Sequence, residues 1–316
     1  MNISRRMALL AILLLSAVGC VSKITPATAK PASSGRLQIL CTTSMLSGPL
    51  SDLVGTHANI VTLMGPGVDP HLYKPSPGDV RQITSSDLVF FHGHHLEGRM
   101  GDVLEQAEGL TRDGRTRRAI AVTERIENDR LIVTDAGTVD PHLWMDISIW
   151  RDVIKELQLI LAETDPENAA YFELAYLELD KNLALLDEKV EALLAKIPEK
   201  QRVLVTAHDA FGYFGKRYGL EVIGIQGIST ESEASIHRIN SLVEMLTSRQ
   251  IPAVFVESTV PERNVRALIE GCAANGHTLR IGGVLYSDAP GPPDSNAHRW
   301  RAMVLHNATV ISEALR

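Results

Sequence analysis

Short apolar runs rich in β-branched residues alternate with amphipathic stretches through most of the chain. The runs at 37–42, 58–64 and 87–91 predict strands. Helical spacing near 46–55, 77–85 and 97–109 predicts the helices that follow them. The second half restarts the pattern, with strands expected at 203–206, 221–225, 253–257 and 278–282. Helices are expected there near 211–218, 233–249, 260–274 and 297–315. Regular alternation of strand and helix implies parallel sheets covered by helices, an α/β fold. Its restart implies two pseudo-symmetric lobes.

Between the halves, residues 166–198 contain no glycine and no internal proline. Leu174, Leu177, Leu183, Leu186, Val190 and Leu194 recur at helical spacing. Asp165 and Pro166 supply an expected cap and first turn. A helix of about 30 residues spans roughly 45 Å. The expected organisation is therefore a lobe over 36–165, a rigid linking helix over 166–198 and a second lobe over 199–316.

The N-terminus has a different character. Arg5 and Arg6 precede an apolar run over 7–15, then small residues up to Cys20. This reads as a secretory signal over 1–19, too short to remain as a spanning helix. Ala17-Val18-Gly19-Cys20 resembles a lipobox, which makes Cys20 the expected lipidation site. Residues 20–35, rich in Ser, Thr, Pro, Ala and Lys, read as a tether. The expected location is extracytoplasmic, either membrane-anchored through the lipid or periplasmic, and the sequence leaves Sec and twin-arginine export open. A net charge of −7 gives no footprint for nucleic acid. Cys41 and Cys272 read as buried free thiols.

The pentapeptide VDPHL occurs twice, ending in His71-Leu72 and His142-Leu143. Proline stiffens each turn and aims the histidine behind it. His208 follows the expected strand at 203–206, and Asp288 lies just beyond another. Ends of parallel strands are where α/β folds place ligands. Three imidazoles and a carboxylate form a transition-metal donor set, although separations of 71, 66 and 80 residues match no compact motif. Asp69 and Asp140 are candidates to support the histidines, and Tyr73 and Trp144 are candidate walls. His92, His94 and His95 read either as a metal-collecting patch or as a solvated loop. HExxH, GxSxG and P-loop motifs are absent, so an enzyme is not expected.

The runs GPGVDPHLYKPSPGD, DPHLWMD, VLVTAHDAFGYFGKRYGLE, IQGISTESEAS, AVFVES and IGGVLYSDA resemble the cluster A-I solute-binding lipoproteins of ABC importers, TroA-type above all. The resemblance covers 36–316 in order. It implies a divalent metal held between two lobes by His71, His142, His208 and Asp288. Zinc or manganese is then a transported ligand rather than a catalytic cofactor, and the sequence does not choose among zinc, manganese and iron. The implied partners are an ABC permease and its cytoplasmic ATPase, the receptor being a monomer, with adhesion as a secondary role only. A stiff linking helix implies small lobe motion. The irregular run after Asp288, over 289–294, makes that loop the expected mover. Protons are expected to compete with metal as pH falls through about 6.

Overall fold

Strand β1 (Leu37–Thr43) is buried at every position except Gln38, as a central strand covered on both faces must be. The computed structural model describes residues 35–107, 109, 111–112, 115–116 and 118–316. The signal peptide, Cys20 and the tether up to residue 34 lie outside the described residues. After β1 come α1 (Ser44–Val54), β2 (Ala58–Met64), α2 (Pro77–Ser85), β3 (Leu88–Phe91) and α3 (Gly101–Ala107). A short antiparallel ribbon, β4 (Thr111–Arg112) and β5 (Arg115–Thr116), leads into β6 (Arg118–Ala121). The first sheet has the order β2-β1-β3-β6 with every pairing parallel.

Helices α4 (Ile147–Thr164) and α5 (Ala169–Leu194) cross to the second half. There β7 (Val203–Thr206), α6 (Gly212–Tyr218), β8 (Glu221–Gly224), α7 (Ile236–Arg249) and β9 (Ala253–Glu257) are followed by α8 (Arg263–Ala274), β10 (Arg280–Leu285) and α9 (Trp300–Ala314). β7 pairs with β8 and β9 with β10, all parallel, and β7 lies beside β9. These are two two-stranded sheets set side by side, and their spatial order β8-β7-β9-β10 follows that of the first sheet.

The reading of the chain leaves β6 and α4 unassigned and places the last strand too early. β10 begins at Arg280 and runs through Gly282 and Gly283, which ordinarily weaken a strand. A Cβ on Gly282 would sit 2.7 Å from the Phe255 ring, and one on Gly283 2.4 Å from Val310. The glycines let β10 approach β9 and α9 closely.

One apolar cluster runs through β1, α1, α4, α5, α6 and α9 and includes Phe255 and Leu285 of the second half. Both halves therefore share a core. α5 buries Phe172, Leu179, Leu183, Val190 and Leu194, whereas Leu174 and Leu177 point outward at 68% and 55% exposure. Cys41 and Cys272 are buried free thiols.

Candidate metal site

Each half sends its loops out at the carboxyl ends of its strands. Strand order reverses between β1 and β3, and again between β7 and β9, and such switch points open a crevice. β7 ends at Thr206, whose Oγ1 donates to the carbonyl of His208 at 2.7 Å. Glu257 is the last residue of β9, and Asp288 follows β10 by three residues. Gly224 at the end of β8 allows the segment to pass: a Cβ there would lie 2.6 Å from the amide of Asp209. His142 precedes a short 3-10 turn, Leu143–Met145, and Asp146 caps α4. His71 lies in the irregular segment between β2 and α2.

His71, His142, His208 and Asp288 are all buried, and one donor atom from each falls within 4.8 Å of the others. His71 Nε2 and His142 Nε2 are 3.4 Å apart. Asp288 places Oδ1 3.5 Å from His142 Nε2 and Oδ2 3.3 Å from His208 Nε2. These separations are long for hydrogen bonds. They match donors on a common ion: nitrogen ligands about 2.0–2.1 Å from a tetrahedral zinc lie about 3.3–3.4 Å from one another.

Two of the imidazoles are backed by carboxylates. Asp140 Oδ1 lies 2.7 Å from His142 Nδ1 and also accepts from the His142 amide at 3.0 Å. Glu257 Oε2 lies 2.7 Å from His208 Nδ1, and its Oε1 accepts from the His208 amide at 2.9 Å. Both arrangements fix the ring and aim Nε2 at the cluster. Asp69 is different: its Oδ1 accepts from the His71 amide at 2.9 Å, while its Oδ2 accepts from the Thr230 hydroxyl at 2.6 Å.

The charges follow from this arrangement. Burial lowers the pKa of His142, but Asp140 and Asp288 outweigh it and raise it to about 9. Burial also opposes charge on His208, where Glu257 and Asp288 prevail and raise its pKa well above the usual value. Burial dominates at His71 and takes it down to about 3. Burial would raise the Asp288 pKa, yet His208 and His142 hold it well below the usual carboxylate range.

The other residues singled out in the sequence separate. His92 is fully buried, stacked on Trp150 with ring centroids 5.5 Å apart and edge-on to Trp144 at 4.7 Å. It belongs to neither a collecting patch nor a solvated loop. Its Nε2 lies 2.7 Å from Thr43 Oγ1. His94 donates its amide to Glu124, and His95 is exposed. Tyr73 turns away to donate to Asp79, whereas Trp144 packs under His142 with centroids 5.2 Å apart. Trp144 Nε1 also donates to the Ser287 carbonyl at 2.8 Å, beside Asp288. Sequence reading passed over Thr230. The polar run from 229 to 233 was its only signal. Among the described residues no helix is long and apolar enough to cross a membrane.

Comparison with known proteins agrees with this geometry. The family model described as zinc-uptake complex component A, periplasmic, matches residues 39–314. The manganese-binding lipoprotein MntA of Bacillus subtilis is 40% identical over 312 residues, covering 98% of this chain and 100% of that protein. The zinc-binding protein TroA of Treponema pallidum is 37% identical over 284 residues, 90% of each chain. The solved structure of that periplasmic zinc-binding protein superposes with a TM-score of 0.84, covering 89% of this chain and 99% of that one. Both relatives are named for the metal they bind. With a match over nearly its whole described length, the chain belongs to the ZnuA family of zinc-uptake component A proteins, the TroA-type metal-binding receptors.

Proposed function

We propose that this protein captures a divalent transition metal outside the cytoplasm and delivers it to the permease of an ABC importer. His71, His142, His208 and Asp288 are the ligands, and the ion is cargo. The observation that carries this reading is a set of four buried donors within 4.8 Å of one another, with three contacts among them at 3.3–3.5 Å and two of the imidazoles backed by carboxylates. Charge supports it as well. Asp288 and the two carboxylates behind the rings offset the charge of a dication in a site that excludes water. Three imidazoles favour zinc in intrinsic affinity, and the carboxylate tolerates manganese, so zinc or manganese is the cargo.

The finer assignments belong to the same proposal. The lobes comprise 36–165 and 199–316, joined by a linking helix over 166–198. Cys20 carries a lipid anchor after cleavage of 1–19, and the receptor works as a monomer. Metal analysis of the purified protein by mass spectrometry, followed by chelator competition with zinc and manganese, tests the central point. One tightly held metal per chain is expected, lost in His142→Ala. A stoichiometry of zero, or full affinity in that variant, refutes the assignment.

A further inference from the structure

The two VDPHL motifs are identical in sequence and differ in what their aspartates hold. Asp140 turns back on its own histidine and contacts both the amide and Nδ1 of His142. Asp69 contacts only the amide of His71. Its other oxygen reaches across to the second half, where it accepts from the buried hydroxyl of Thr230 at 2.6 Å, 161 residues away. The next residue makes a second tie, Glu231 Oε1 to Arg99 Nε at 2.9 Å.

His71 also sits on irregular backbone. Residues 65–76 contain neither helix nor strand, and Leu72, its neighbour, is exposed. The backbone leading into Asp288 is fastened at two residues. Trp144 holds the Ser287 carbonyl, and Asn307 binds both the amide and the carbonyl of Tyr286. His142 and His208 are each held by a carboxylate. No carboxylate backs the His71 ring among the described residues. The position of His71 therefore depends on its Asp69 turn, and that turn is tied to the second half through Thr230.

We propose that Thr230 is a positioning residue for metal retention: its hydroxyl clasps Asp69 across the two halves and keeps the His71 segment closed on the other three donors. This inference rests on the assignment of the four-residue metal site. This hydrogen bond runs from a buried threonine to a half-buried carboxylate, and a bond to a charged acceptor is stronger than one between neutral groups. Losing it accelerates opening of the segment and leaves the donors themselves intact.

The test is stopped-flow release of zinc from loaded full-length protein into excess chelator, with association measured separately. Thr230→Val is expected to release zinc about ten- to a hundredfold faster. Its stoichiometry stays at one and its association rate unchanged. Thr230→Ser, which keeps the hydroxyl, restores slow release. Asp69→Ala, which also loses the His71 amide contact, releases at least as fast as Thr230→Val, and the double variant no faster than Asp69→Ala alone. A merely structural role would instead lower the unfolding midpoint of the metal-free Thr230→Val protein and leave release untouched. Wild-type release rates in Thr230→Val, or no rescue by serine, overturn the clasp while the metal site stands. Failure of the wild type to bind zinc overturns the site itself and the clasp with it.

Discussion

A carboxylate behind an imidazole fixes which nitrogen faces the metal, and removing it leaves the ring free to rotate. Asp140→Ala and Glu257→Ala are therefore expected to weaken metal binding about 10- to 100-fold without touching a ligand. Chelator competition measures this, and unchanged affinity in both variants would deny the carboxylates that role. The same carboxylates set the pH response. Ligating imidazole must be neutral. In the metal-free protein His142, raised to about 9, and His208, also raised, carry protons at neutral pH, whereas His71, lowered to about 3, does not. Metal must displace about two protons at pH 7, so affinity climbs as pH rises towards 9 and falls as pH drops. The dependence starts well above the pH of about 6 expected for free imidazole. Calorimetry in buffers of different ionisation enthalpy reads the proton count directly, and a count of zero contradicts the arrangement. Proline turns and strand ends raised His71, His142, His208 and Asp288 as candidates, and the family resemblance joined them into one set. The divergence of Asp69 from Asp140 was not, because it depends on Thr230, 161 residues away.

Helix α5 shows what a pattern of apolar residues leaves out. Its leucines predict a helix, and the helix forms. The pattern does not tell which face turns inward, since Leu174 and Leu177 continue the spacing and yet face water. The orientation is set by two aspartates. Asp180 accepts both Nε and Nη2 of Arg151 on α4, at 2.6 and 2.8 Å. Asp187, buried about two turns further on, binds Arg217 and accepts from the Tyr218 hydroxyl at 2.7 Å, both on α6. The middle of the strut is thereby tied to α4 and its C-terminal half to α6. Asp187→Ala is expected to cost about 2 kcal/mol, the lower range for a buried charged hydrogen bond because Arg217 is partly exposed. Urea unfolding checks this, and an unchanged midpoint would mean that apolar packing alone seats the helix. By contrast α4 was readable in principle: Asp146 caps it, and Ile149, Trp150, Val153, Ile154 and Leu157 trace its buried face. β6 was not, because Arg118–Ala121 is four residues long and becomes a strand only by pairing with β3.

For the whole molecule, these contacts decide how far the halves can separate. A hinged receptor opens by bending at flexible crossovers. Here the crossover includes a 26-residue helix, about 39 Å long, with no glycine or proline inside it. The apolar cluster continues from β1 through α5 into α6 and α9. Buried hydrogen bonds stitch the same seam: Trp144 to Ser287 at 2.8 Å, Trp300 to the Trp144 carbonyl at 3.0 Å, and Tyr213 to the Asp140 carbonyl at 2.9 Å. A wide rotation would expose much of this core to water at about 25 cal/mol for each Å² of apolar surface. Breaking the Thr230 contact to Asp69 exposes far less. Metal-free and metal-loaded proteins are therefore expected to give nearly superimposable small-angle scattering, with any difference confined to a small tilt. Hydrogen exchange should quicken on metal removal at 65–76 and 227–233 and stay slow along α5. Scattering that shows rotation of tens of degrees on metal removal, or exchange that quickens along α5 itself, would mean that the linking helix bends and that release proceeds by opening the entire cleft.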